Sequence, residues 1–144
     1  MDMIDLKIIK ILKNNSRTTS SEISKKVMLS VPAVSERIRK LEEEKIINQF
    51  TIKLNRKKFD LNLMAYVFVC VEKAENVNNF REMIMQNDWV LECHHLAGEY
   101  DYLLKVLVEN TDKLEIFISH MLKKTTGVTK TNMQIVLSTL KEEL

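Results

Sequence analysis

The sequence predicts an α+β protein in two parts: a helical head over residues 1–50 and a sheet domain over 63–144, joined by a strand or linker over 51–62. Three observations predict it. Apolar residues recur at three- and four-residue spacing in three short segments up to Leu41, after which the period shortens towards two. The later half alternates apolar β-type runs with amphipathic helical ones. Charge divides in the same way, with 14 Lys/Arg against 8 Asp/Glu in residues 1–60 and 8 against 12 in residues 61–144, within a net charge of +2. A basic head beside an acidic second half suits a polyanion partner for the head alone, although solvated surfaces produce similar imbalances.

The first helix is expected from Asp2, an N-cap residue, to about Asn14, with Ile4, Ile8, Ile9 and Leu12 on one face. Thr19 and Glu22 have capping-box spacing and start a second, short helix with Ile23 and Val27 inward. Met28 and Leu29 connect it tightly to Ser30, the cap of a third helix that carries Pro32 in its first turn, where a missing N–H is harmless. Two helices joined by so few residues form a helix-turn-helix.

Val34, Ile38 and Leu41 point the third helix into the core, so Pro32, Ala33, Ser35, Glu36, Arg37, Arg39 and Lys40 form its outer surface. Short side chains at the N-terminal end, hydroxyls, Arg and Lys are what a helix needs to enter a B-DNA major groove beside Ser30. The same pattern fits an ordinary solvated face. The run Ile46, Phe50, Ile52 and Leu54 reads as a β-hairpin wing or a strand leading to the linker. Arg56, Lys57 and Lys58 follow it as candidate phosphate contacts, and Glu42 to Glu44 are expected to face away from DNA.

Leu63 to Glu72 is apolar at nearly every position, so both faces of this strand are expected to be covered. A helix over 76–87 follows, with Phe80 and Ile84 inward and Met83 beside them. Strands over 89–97 and 101–108 turn at Gly98, Glu99 and Tyr100. A helix capped by Thr111 runs to Lys123, and a last strand covers 129–137. The order βαββαβ is the ferredoxin-like arrangement, an antiparallel sheet with two helices on one face. Its open apolar face is most easily buried against a second copy, giving a two-fold dimer.

Composition excludes several classes. Two glycines, Gly98 and Gly127, cannot build a Gly-rich phosphate loop. No apolar run approaches the roughly 20 residues that span a bilayer, and Met1-Asp2 opens no signal peptide, so a cytoplasmic protein without a membrane partner is expected. Cys70 and Cys93 lie inside strand patterns and read as reduced core thiols. His94 and His95 are adjacent on a strand and point to opposite faces, so no metal site is expected from them, even with Cys93 on the His95 face. His120 stands alone on its helix, and the eight methionines read as core filler. No nucleophile, base and orienter stand together, and no cofactor is expected.

Asp5 with Ile8 and Leu12, Ser16-Arg17, Glu22-Ile23, Leu29-Ser30, Val34, Arg37-Ile38, Leu41-Glu42 and Ile46-Ile47 resemble the helix-turn-helix domain of the Lrp/AsnC family of feast/famine transcriptional regulators. Glu92-Cys93, Gly98, Asp101 to Leu104, Gly127-Val128 and Thr131 are similar to that family's effector-binding domain. Three positions depart from the pattern by lacking a usual glycine. Met28 is expected in a slightly altered turn, Lys45 at a cost of about 1 kcal/mol if left-handed, and Asn62 as a residue that tolerates that conformation.

The resemblance implies a double-stranded DNA partner, homodimers assembling to tetramers or octamers, and an amino acid effector held between dimers near the glycine turn. On this chain that is Ala97, Gly98, Tyr100 and Asp101, with Asn132 and Gln134 as amide contacts from the last strand. Gly98 and Asp101 would equally serve to shape a β-turn. Two other readings stand beside it: a DNA-bending architectural protein without an effector, and a metabolite-binding or enzymatic ferredoxin-like module whose helices serve oligomerisation.

Overall fold

The computed structural model describes residues 1–142. The chain forms two compact units, one over residues 1–54 and one from Asn55 onward.

The first unit holds α1 (Met3–Asn14), α2 (Ser20–Val27) and α3 (Val31–Glu43). Asp2 accepts from the Ile4 and Asp5 N–H groups while the Asp5 carboxylate accepts from the Asp2 N–H, a capping box at the start of α1. Thr19 and Glu22 form the expected second box, and Ser30 caps α3 through the Ala33 N–H. Ile8, Leu12, Ile23, Val27, Val34 and Leu41 are the buried core, with Ile4, Ile9, Leu29 and Ile38 packed around it. With so few buried side chains, each worth about 1.5–3 kcal/mol of burial, the caps matter to the unit's stability.

Met28 does not alter the turn as expected. It takes the left-handed conformation itself, at φ 59° and ψ 42°, and the Leu29 N–H reaches the Ser24 carbonyl, the Schellman geometry a glycine would adopt. Lys45 does the same after α3, at φ 58°, with the Ile46 N–H on the Leu41 carbonyl. The strand expected from Ile46 to Leu54 is a second correction: no strand forms between residues 44 and 62, and Phe50, Ile52 and Leu54 are exposed. Their alternation is that of a strand, but no neighbouring strand lies alongside to complete a ladder.

The second unit begins with a 3₁₀ turn over Arg56–Phe59 and holds β1 (Leu63–Val71), α4 (Ala74–Met85), β2 (Val90–His95), β3 (Tyr102–Val108), α5 (Thr111–Glu115) and β4 (Val128–Ile135). The strands form one antiparallel sheet in the order β2-β3-β1-β4. Asp60, not Asn62, takes the left-handed position before β1, and Asn62 donates to the Asp60 carbonyl. Asn110, not Thr111, caps α5, which continues as a π-helix over Ile116–Leu122. The wider turn brings Phe117 and Leu122, five residues apart, onto one buried face.

Ala65, Val67, Val69 and Val71 of β1 pack against Phe80 and Ile84 of α4 and against Leu114, Phe117 and Leu122. The alternate residues, Tyr66, Phe68 and Cys70, are half-buried on the other face. On that face Lys105 reaches Glu92 at 2.9 Å and Glu142 at 3.0 Å. Cys70 and Cys93 are free thiols, yet neither is in the core: Cys70 is half-buried and Cys93 is exposed on the edge strand β2. Partial burial still pushes the Cys93 thiol up, with Arg81 opposing, so no reactive thiolate is favoured there.

Candidate nucleic-acid interface and ligand turn

α3 is the central element of the first candidate site. Its inward stripe fixes an outward ridge of Pro32, Ser35, Glu36, Arg39 and Glu43, all exposed, with Val31 beside Pro32. Ala33, Arg37 and Lys40 lie along the flank. Ser35 touches α2 through the Ser20 hydroxyl at 3.1 Å. Arg39 forks onto Glu36, and its third contact is Glu43. Glu36 holds the guanidinium's pKa above its ordinary value, and the Arg39 hydrogen bond holds the Glu36 carboxyl below its own.

Arg37 is the principal correction at this site. It was expected on the free outer surface, yet its Nη1 lies 2.7 Å from Asp5 Oδ1 and 2.8 Å from Asp2 Oδ2, tying α3 to the α1 capping box. Both carboxylates raise its pKa, Asp5 first. Arg56 is likewise turned inward, with Nη1 3.2 Å from the Met64 sulfur, while Lys57 and Lys58 remain exposed. Sequence reasoning passed over three cations of the helix before α3 and its approach: Lys25 and Lys26 of α2 and Arg17 ahead of it are exposed and make no ion pair among the described residues. Their place on the helix preceding α3 was the available signal.

The loop between β2 and β3 is the second candidate site. The Leu96 N–H meets the Asp101 carbonyl and closes it. From below, the Asp101 N–H donates to the Val69 carbonyl and the Asp101 carboxylate accepts from the Val71 N–H at 2.8 Å, where the β1 register shifts. The Tyr100 ring lies 5.4 Å from Phe68, and Phe68 stands opposite Asn132, so Tyr100 and Asn132 converge over one aromatic ring. Gln134 shares the face but pairs with Tyr66, two residues farther along. Ala97 is exposed and joins none of these contacts.

Lys130, absent from the sequence reading, completes the cluster: its ammonium sits 4.8 Å over the Tyr100 ring and 2.6 Å from Glu99. Period two on β4, which places Lys130 beside Asn132, would have found it. Gly98 has open space where a Cβ would stand. His94 pairs with Glu92 and His95 stacks on Tyr102, and no group of metal-ligating side chains occurs among the described residues.

Residues 64–144 match the family model described as the Lrp/AsnC ligand binding domain, and residues 1–48 match a winged helix-turn-helix DNA-binding model. The chain belongs to the Lrp/AsnC family. It is 34% identical over 138 residues to the transcriptional regulator LrpC of Bacillus subtilis, covering 96% of this chain and 92% of LrpC. An HTH-type regulator of Pyrococcus horikoshii is also 34% identical, over 146 residues that cover 100% of this chain and 97% of the relative. Among solved structures, a Neisseria meningitidis transcriptional regulator in complex with L-methionine superposes with a TM-score of 0.96 at 30% identity, covering 99% of this chain and 94% of that one. The Lrp/AsnC chain is thus a transcriptional regulator with a helix-turn-helix domain and a ligand-binding domain. Its relatives are named as regulators, not enzymes. No helix among the described residues is long and apolar enough to cross a membrane.

Proposed function

We propose that this Lrp/AsnC regulator binds double-stranded DNA through α3 as a cytoplasmic homodimer, assembling further to tetramers or octamers, and that an amino acid modulates it. The observation that carries the DNA reading is the outward ridge of α3, where Pro32 and Ser35 keep side chains short while capping and core packing hold the helix rigid. Ser30, Ala33, Glu36, Arg39 and Lys40 complete the reading surface, and Lys57 and Lys58 add phosphate contacts. Arg37 serves it indirectly by fixing α3 on α1.

The half-buried aromatic face of Tyr66 and Phe68 supports dimerisation, since a second copy would cover it. For the effector, the Gly98 to Asp101 loop offers open space at Gly98, the Lys130 ammonium for a carboxylate and the Asp101 carboxylate for an ammonium. The L-methionine complex of the Neisseria relative supports an amino acid as the class.

Selection of bound fragments from genomic DNA by the full chain, with and without each amino acid, tests both parts. Enrichment of a shared motif supports the DNA reading, and its absence at low salt rejects it. A motif set that shifts with one or a few amino acids supports the effector. An identical set under every amino acid, with bound DNA that migrates as bent, favours the architectural reading.

A further inference from the structure

Glu36 and Arg39 stand one turn apart on the exposed ridge of α3 and meet as a fork. Arg39 Nε donates to Glu36 Oε2 at 2.9 Å, and Nη2 donates to Oε1 at 2.7 Å. Nη1 donates to Glu43. These contacts use three of the five guanidinium N–H groups and leave two. The fork to Glu36 at i−3 sets the guanidinium over the turn N-terminal to Arg39, the direction helical side chains already favour, while Glu43 at i+4 holds Nη1 from the other side. There Pro32 and Ser35 leave room, and that half of a recognition helix is the part that reaches base edges.

The other cations of α3 lack this geometry. Arg37 is turned back onto Asp2 and Asp5. Lys40 is a point charge 4.0 Å from Glu36 and presents no planar pair of donors. The base edge that accepts a pair of donors from one guanidinium is the O6/N7 edge of guanine. Glu36, with both oxygens engaged, also presents less bare negative charge to the phosphates.

We propose that Arg39 is the specificity-determining side chain of α3, reading a guanine in the major groove, with Glu36 as the positioning residue that aims it. This rests on the DNA-binding reading above. In-vitro selection from a randomised duplex pool, using the full chain as wild type, Arg39→Lys, Glu36→Ala and Glu36→Gln, gives a base preference at each position. Affinity for one wild-type-selected duplex across a salt series gives the electrostatic part separately.

The wild type is expected to select a half-site with one dominant guanine. Arg39→Lys should lose about ten-fold or more of the preference at that position and keep the salt slope, because the charge remains. Glu36→Ala should flatten the same position, and Glu36→Gln, which keeps one acceptor oxygen but turns a donor NH2 towards the guanidinium, should recover only part of it. A pair that only stabilises the helix would move the melting temperature and leave every position's preference as it was. The inference is overturned if Arg39→Lys selects the wild-type profile or weakens all duplexes equally. If the wild type selects a motif and Arg39→Lys selects the same one, this inference alone fails; if the wild type binds no duplex at low salt, the DNA reading fails with it.

Discussion

Arg37 Nη1 lies 2.7 Å from Asp5 Oδ1, joining the middle of α3 to the first turn of α1. The Asp5 side chain is only 13% exposed and that of Arg37 30%, so the pair is partly shielded from water. Arg37→Ala is expected to lower the melting temperature by roughly a few degrees and to weaken binding to all DNA alike, since α3 is then less firmly held. Thermal denaturation beside binding to several unrelated duplexes checks it. An unchanged melting temperature with a change at one base position would mean that Arg37 reads DNA directly.

Acid should loosen the same unit. The Asp5 N–H, foremost among its hydrogen bonds, and Arg37 hold the Asp2 carboxyl below its ordinary 3.8, and the Thr19 N–H and hydroxyl hold Glu22 below 4.5. Groups lowered by folding contribute stability above their unfolded values and lose it as pH falls through the folded ones. Stability measured by denaturant titration should therefore begin to fall near pH 4.5 and keep falling below 3.8. Asp2→Asn with Glu22→Gln should flatten that limb. Lys105 has the opposite sign: Glu92 raises it above 10.5, so its contribution is intact at neutral pH and is lost only as pH rises through the higher folded value.

Met28 is 88% exposed in a left-handed conformation. Leaving that conformation to glycine removes about 1–2 kcal/mol of strain, against about 0.5–1 kcal/mol for glycine's greater unfolded freedom. Met28→Gly should therefore stabilise the protein by about 0.5–1 kcal/mol, because no packing is lost. Chemical denaturation of the variant provides the measurement, and destabilisation would mean that the Met28 side chain makes contacts its exposure does not reveal.

The two glycines should behave oppositely. Gly127 has φ 92°, and a Cβ there would stand 2.5 Å from the Asn76 Cβ, so Gly127→Ala should cost about 2 kcal/mol or more. Gly98→Ala meets nothing within 4 Å and should leave the melting temperature of the free protein unchanged. Any loss of stabilisation by an added amino acid in Gly98→Ala would then report on the ligand.

Asp101→Ala is a less clean probe than it looks. Its carboxylate satisfies the Val71 N–H at the β1 register shift, so removing it should cost about 1–2 kcal/mol with no ligand present. A melting temperature equal to wild type without amino acids would show that this hydrogen bond carries little.

What could be read from the residues was mostly local. Thr19 with Glu22 and Ser30 before Pro32 involve neighbours within a turn, where spacing dictates the contact. Arg37 with Asp5 and Arg56 with Met64 depend on where the chain returns, and spacing carries no signal for that; for Lys130 spacing gives the Asn132 face but not the Tyr100 ring over which it sits. The strand expected from Ile46 to Leu54 failed for a related reason: an alternating run specifies a willingness to pair, while pairing needs a second strand. Asn110 took the cap of α5 from Thr111 because side chains one residue apart compete for the same N–H, and composition does not decide between them.

The bare stretch around Phe50, Ile52 and Leu54 has a practical outcome. Three greasy side chains exposed on a segment outside every strand make a template onto which stray molecules can stack, held in check locally by Thr51 and Lys53 in between. Concentrated preparations should cloud from this spot first, and charge placed at Ile52 should keep them clear.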